Sequence, residues 1–413
     1  MNLLIIEQPL NNRGDESAHK GFVKTLTAQI PDIRIRVFFY ERTDEEINQM
    51  RLNYPNIEYV NYPTHSRIFA PHRFIKVLTM LGLRKWLPLI PLSRAFLTQC
   101  KWADHIVVAP GGVDMGGFQI WPHIAFIYLA QCTKKSVSYF ARSIGPFPET
   151  TSRNRRFRRY SLELLHKFAF LSLRDKKSAT LADSLNIPYT LTADSCFLVQ
   201  NIEAEVPADY IDPDWKGKPY IVFVPNSLAW NFYYKGNYDF SVFKRLWLKI
   251  VEYLAQKYPD HAIVMLPQTV GNNALRDGYT YFTEIKQDCC CPQRVFVLSE
   301  DYGSDVHQAI IRDADLLIGA RYHSVIFAIN QNAPFVSLSY EHKMSGILQL
   351  LGLEAHEVNL SDIFDGKDAE NGILQTLEAL KERIRIARRN PEAQAEAHRI
   401  AFEGFKRFEA QLN

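Results

Sequence analysis

The 413-residue sequence lacks any apolar run of about 18–20 residues, the length a helix needs to cross a bilayer, so no spanning segment is expected. Its start, MNLLIIEQPL, lacks the basic stretch, the longer apolar region and the small-residue cleavage site of a secretory signal peptide. There is little excess charge. Lys plus Arg number 48 against 45 for Asp plus Glu, and the net +3 by itself argues nothing about nucleic acid. Cysteines number only six. The triplet Cys289, Cys290 and Cys291 offers poor geometry for one tetrahedral metal, no C-x-x-C pair stands opposite it, and Cys100, Cys132 and Cys196 are scattered. Free thiols in a reducing cytoplasm are therefore expected, with no metal and no cofactor.

What is present describes a globular protein: 47% hydrophobic and 23% charged residues. The length exceeds one ordinary core and implies two domains of roughly 150–200 residues. Short apolar runs alternate with amphipathic stretches. Leu3–Ile6 reads as a strand, 11–17 as a polar loop, Ala18–Ile30 as a helix and Ile33–Tyr40 as the next strand. Strands follow at Ile106–Ala109, Ser136–Phe140 and Phe168–Leu173. Residues 201–219, rich in acids and prolines, read as a linker. A second series has strands at Tyr220–Val224, Ala262–Leu266, Val295–Leu298, Leu316–Ile318 and Phe335–Leu338. Helices fit Phe240–Tyr258, Gly303–Asp313, Glu370–Arg389 and Pro391–Leu412. The fold class is α/β, with two doubly wound Rossmann-like domains facing across a cleft. The expected division is 1–205 for the first α/β domain, 215–390 for the second, and 391–413 as a helix packing back on the first domain.

Ligands of such sheets sit beyond the carboxyl ends of the strands, and the charged motifs fall there. In Leu317-Ile318-Gly319-Ala320-Arg321-Tyr322-His323-Ser324 a buried strand ends in glycine, and Arg321 and His323 open an apolar helix. A helix start with unpaired N–H groups and two such side chains is an anion site. Lys343 follows the next strand, and Arg174 follows Phe168–Leu173 in the first domain. Each alone suits a cap or an ion pair. Together, four cationic or protonatable groups would be costly to bury without an anion.

The ordered motifs resemble the polysaccharide pyruvyl transferase family. An N-x-G-D-E loop is matched by Asn12-Arg13-Gly14-Asp15-Glu16, and a glycine pair after a buried strand by Gly111-Gly112. An S-x-G-P turn is matched by Ser143-Ile144-Gly145-Pro146, and R-D-x-x-S by Arg174-Asp175-Lys176-Lys177-Ser178, with Asp194 beyond. R-x-H and Y-x-x-K are matched by Arg321-Tyr322-His323 and Tyr340-Glu341-His342-Lys343. The chain departs from the pattern in Gly-Gly-Val where three glycines are usual, and in Arg142, which stands where small residues are common and offers an extra anion contact.

The resemblance implies a GT-B-like fold and phosphoenolpyruvate as donor, a substrate rather than a cofactor, held by Arg174, Arg321, His323 and Lys343. A small polyanion suits a bidentate arginine for its carboxylate, and arginine, lysine or a helix start for its phosphate. His323 is the candidate general acid. Asp15 and Glu16 are candidate bases, though Gly-Asp-Glu-Ser before a helix is also an ordinary N-cap. Acceptor-binding or cleft-lining candidates are Asn12, Gly14, Gly111, Gly112, Arg142, Trp230 and Gln268. The cluster around Trp230 suits sugar stacking or packing at a domain interface. The acceptor implied is a glycan, on a lipid-pyrophosphate carrier or free. The arginines of 153–160 and the basic-apolar stretch 72–97 suit either an anionic membrane surface or a solvated basic helix plus a core helix. They lie beside no nucleic-acid motif. A cytoplasmic protein, at or away from the membrane's inner face, is expected. The alternative is a GT-B glycosyltransferase using a nucleotide sugar.

Overall fold

Runs such as Leu-Leu-Ile-Ile, His-Ile-Val-Val and Tyr-Ile-Val-Phe-Val, too short for buried helices and rich in branched side chains, become the central strands of parallel sheets. The computed structural model describes all residues except 10–11, 49, 64–69, 113–114, 201, 208–214, 216, 229–240, 270–277, 299–301, 364–367 and 413. It divides into two units, one formed by 1–10, 18–199 and 400–413, the other by 11–17 and 200–399. The expected linker falls partly outside the described residues.

The first unit carries β1 (Asn2–Ile6), β2 (Arg34–Tyr40), β3 (Ile57–Tyr62), β4 (His105–Val108), β5 (Met115–Gly116), β6 (Ser136–Arg142), β7 (Ile144–Gly145), β8 (Phe170–Leu173) and β9 (Thr190–Leu191). Its main sheet runs β3-β2-β1-β4-β6-β8-β9, every pairing parallel. Side chains alternate between two cores. Leu4 and Ile6 join Phe38, Phe96 and Phe126 in one, while Leu3 and Ile5 join Phe22, Phe140 and Phe170 in the other. Phe405 and Phe408, from the helix Pro391–Glu409, complete the second core.

The second unit carries β10 (Tyr220–Val224), β11 (Ala262–Met265), β12 (Val295–Val297), β13 (Leu316–Gly319), β14 (Phe335–Ser339) and β15 (Glu357–Asn359). Their order, β12-β11-β10-β13-β14-β15, is all parallel and is that of a Rossmann sheet. The order reverses between β10 and β13, as it does between β1 and β4 in the first unit, so each sheet has a switch point where ligands bind.

The helix placed at Ala18–Ile30 begins at Arg13 and ends at Gln29. Arg13–Ser17, within the polar sequence that reads as a loop, open the helix. The Asn12 side chain accepts from the Gly14 N–H at 2.8 Å, and Arg13 N–H donates to the Gln268 carbonyl at 2.9 Å. Asp15 and Glu16 therefore lie inside the turn and do not cap it.

Candidate functional site

In the second unit, β13 ends at Gly319 and the chain turns through Arg321, which stands at the N-cap of the helix Tyr322–Asn330. Arg321 contributes no side-chain cap. The turn is held instead by Ser324, whose hydroxyl donates to the Arg321 carbonyl at 2.7 Å. The helix is buried along its length, so its positive end is fixed at the switch point. His323 is buried there, its ring edge-on to Tyr322 at 5.0 Å between centroids. Lys343, in the first turn after β14, is also buried. Its Nζ lies 3.2 Å from Glu341 and 5.8 Å from the centre of the Tyr322 ring. Tyr322 thus neighbours both the imidazole and the ammonium. Arg321, His323 and Lys343 all lie on the second unit, the latter two with side chains beside Tyr322.

Gly14 belongs to the same cluster. A β-carbon on it would overlap the ring of His323, so only glycine allows that approach. Asp15, next in the chain, is buried. Glu16 has other commitments: one oxygen pairs with Arg13, and the other accepts from the Ser304 N–H at 3.3 Å and hydroxyl at 3.2 Å. A carboxylate so engaged braces the turn. Arg13 also helps burial depress the His307 imidazole to about 4. Gln268 is buried, and its amide nitrogen has no hydrogen-bond partner among the described residues. Trp230 lies outside the described residues.

The first unit holds the other candidates. Arg174 is buried, with Nη1 donating to Asp194 at 2.6 Å and Nε to the Ser143 hydroxyl at 3.2 Å. Asp175 caps the helix Lys176–Ser184 through the Ser178 N–H at 2.8 Å, and accepts from the Ser178 hydroxyl at 2.7 Å. That same Ser178 oxygen accepts from the Ile144 N–H at 3.0 Å. The R-D-x-x-S and S-x-G-P motifs are therefore one hydrogen-bonded assembly.

Around the switch point of the first sheet, a cavity of about 210 Å³ is lined by Glu7, Gln8, Tyr40, Arg42, His123 and Arg142. Gly112 has a φ of +76°, and a β-carbon there would stand 2.6 Å from Pro9 and 3.0 Å from Arg142. Gly111 has a φ of +77°. The glycine pair thus lets the backbone pass Arg142, whose Nη1 donates to the Ala109 carbonyl. Sequence reasoning missed His123. Its Nδ1 lies 3.0 Å from Glu7, and its Nε2 is buried without a hydrogen-bond partner among the described residues. Burial lowers the imidazole's pKa against the pull of Glu7, which leaves a neutral ring with Nε2 as acceptor when Nδ1–H faces the carboxylate. The only signal in the sequence is a histidine inside the apolar run Trp121–Gln131, a position that usually signifies core.

Residues 12–342 match the model of a family described as polysaccharide pyruvyl transferase. The Amylovoran biosynthesis protein AmsJ of Erwinia amylovora is 20% identical over 403 residues, covering 92% of this chain and 94% of that protein. Among solved structures, the S. aureus MnaA–UDP co-structure is similar with a TM-score of 0.59 at 11% identity, covering 99% of this chain and 97% of that one. Trehalose-6-phosphate synthase OtsA gives 0.59 at 13%, covering 100% and 99%. The UDP-GlcNAc 2-epimerase of Neisseria meningitidis gives 0.56 at 14%, covering 98% and 100%. These likenesses speak for the fold alone, that of GT-B glycosyltransferases and epimerases. The family model spans the motifs from the Asn12 turn to His342, and the chain belongs to the polysaccharide pyruvyl transferase family.

Proposed function

We propose that the protein transfers the enolpyruvyl unit of phosphoenolpyruvate to two hydroxyls of a glycan, forming a pyruvate ketal and releasing phosphate. The observation that carries this reading is that His323 and Lys343 both approach Tyr322 at the start of a buried helix whose N-cap residue is Arg321. Two full cations, a protonatable ring and a helix N-terminus suit a small molecule with one carboxylate and one phosphate. Arg321 has the fork for the carboxylate, and Lys343 and the helix start suit the phosphate.

In this reading His323 delivers a proton to the donor's methylene carbon, which becomes the ketal methyl. One acceptor oxygen bonds to the adjacent carbon and loses its proton, and the second oxygen closes the ring as the C–O bond to phosphate breaks. One hydroxyl proton is balanced by the methyl group and the other by the departing phosphate. Asp15, beside Gly14, is the base we assign to the attacking hydroxyl, while Glu16 holds the turn. The cavity at His123 and Arg142 on the first unit is assigned to a hydroxyl of the glycan, with Nε2 of His123 accepting its hydrogen. Arg174, engaged with Asp194 and Ser143, positions the turn that follows Arg142.

The test is phosphate release from phosphoenolpyruvate with galactosyl, glucosyl and N-acetylmannosaminyl acceptors, comparing wild type with His323→Ala and Arg321→Ala. Acceptor-dependent release, lost in both folded variants, is expected. Calorimetry that detects binding of a uridine-diphosphate sugar and none of phosphoenolpyruvate would replace this reading with that of a glycosyltransferase.

A further inference from the structure

Residues 70–103 contain six Lys or Arg and no Asp or Glu. They fold as the helix Pro71–Leu81, the tight 3-10 segment Arg84–Leu89 and the helix Pro91–Trp102. Ile75, Thr79 and Leu87 face the core. The opposite side is also apolar. Phe74 is 52% exposed, Leu81 61%, Trp86 49% and Leu89 63%, with Val77 and Leu83 exposed beside them. Single exposed apolar residues are ordinary, but six between Phe74 and Leu89 form a patch that water disfavours. A shallow groove of about 570 Å³ runs between Phe74, Leu83, Trp86 and Leu89.

The rim of this patch is cationic. Arg73, Lys76 and Lys85 are exposed among the apolar residues. The helix Ser152–Leu165 lies alongside, its Arg156 donating to the Met80 carbonyl. Arg153, Arg155, Arg156 and Arg159 are exposed on that helix. Its acidic neighbours are matched: Glu163 pairs with Arg84 at 2.7 Å and Lys167 at 2.9 Å, and Glu149 with Arg158 at 3.3 Å. The two basic stretches that stand apart in the sequence thus form one surface of the first unit.

We propose that this surface docks on an anionic lipid bilayer, with Phe74, Leu81, Trp86 and Leu89 entering the headgroup–acyl boundary and the flanking arginines and lysines meeting lipid phosphates. Charge complementarity selects this occupant. Aromatic and leucine side chains interleaved with lysine and arginine, without acids, are the composition of interfacial segments. Long basic side chains lay their stems on apolar surface and carry their charge to headgroups. No helix among the described residues is long and apolar enough to cross a membrane. The proposal does not depend on which donor the second unit binds.

The test is co-sedimentation of the full chain with vesicles of phosphatidylcholine alone or mixed with phosphatidylglycerol. The variants are a triple Phe74→Ser, Leu81→Ser, Leu89→Ser and a quadruple Arg153→Gln, Arg155→Gln, Arg156→Gln, Arg159→Gln. Wild type is expected to bind the mixed vesicles at least about tenfold more tightly than the neutral ones, and less tightly as salt rises. The apolar variant should lose binding to both while keeping its circular dichroism and acceptor-free donor binding, and the arginine variant should lose only the preference for anionic lipid. Absence of vesicle binding by wild type would overturn the proposal, as would binding unchanged in both variants. A dimer in sedimentation velocity that the apolar variant converts to monomer would assign the patch to a second copy instead.

Discussion

Gly14 and His323, 309 positions apart in sequence, touch so closely that the space a β-carbon would fill at Gly14 is taken by the imidazole. The glycine of the N-x-G-D-E turn is thereby the wall against which the candidate general acid rests. Gly14→Ala should displace the ring and lower kcat/KM for phosphate release about a hundredfold, the effect of misplacing a reacting group by an ångström or so. Alanine otherwise favours a helix over glycine by roughly 0.5–1 kcal/mol, so a folded but inactive variant is expected by circular dichroism. Full activity in that variant would remove His323 from the chemistry.

The dyad of His123 and Glu7 makes a separate prediction for the acceptor side. His123→Ala should raise the KM for the glycan at least about tenfold, the scale of one hydrogen bond to a buried group, and leave phosphoenolpyruvate binding unchanged in calorimetry. Glu7→Gln should give a smaller effect in the same direction, because the ring would remain but lose the carboxylate that selects its tautomer.

Arg174 and Asp194 form an ion pair with almost no exposed surface, 1% and 0% for the two side chains. Removing one partner leaves a buried charge unmatched, so Arg174→Ala should destabilise the fold by about 3–5 kcal/mol in urea titration. Replacing both with apolar residues of similar volume should cost much less. A loss for the double replacement equal to the sum of the two single losses would show that the two side chains act independently.

Burial holds His105 and His307 down at about 4 from an ordinary 6.5. On unfolding each would take up a proton near the ordinary value, so in the interval between the two the unfolded chain binds more protons. Stability is therefore complete above about pH 6.5 and declines as pH falls toward 4, by up to about 1.4 kcal/mol per pH unit for each histidine. Melting temperature measured from pH 8 to 4 should show this acid limb, and His307→Gln should flatten it. A limb unchanged by that replacement would place the lost stability in other groups.

The central strands were legible in the sequence because a parallel sheet buried on both faces requires uninterrupted branched apolar runs, and Leu3–Ile6, Tyr220–Val224 and Leu316–Ile318 have nothing else to do. Arg321, His323 and Lys343 were legible for a related reason, since each closely follows such a run. The first turn of the helix Arg13–Gln29 was not legible. Asn-Asn-Arg-Gly-Asp-Glu-Ser has weak local helix preference, and its partners Gln268, Ser304 and His323 lie hundreds of residues away. His123 was hidden by its apolar neighbours, and the edge strand Ile57–Tyr62 by the polar residues that a sheet margin tolerates.

Phe405 and Phe408 have a consequence for how the protein is made. They pack on Phe140, at 6.5 and 5.0 Å between ring centres, and on Phe22, at 6.4 and 5.6 Å. A ribosome moving at about 5–20 residues per second delivers the strands of the first unit long before these two rings. That unit must wait, with one aromatic face uncovered, until nearly the whole described chain has been translated. The part made first is completed last, and its vulnerability to chaperone capture or aggregation is greatest during the synthesis of its neighbour.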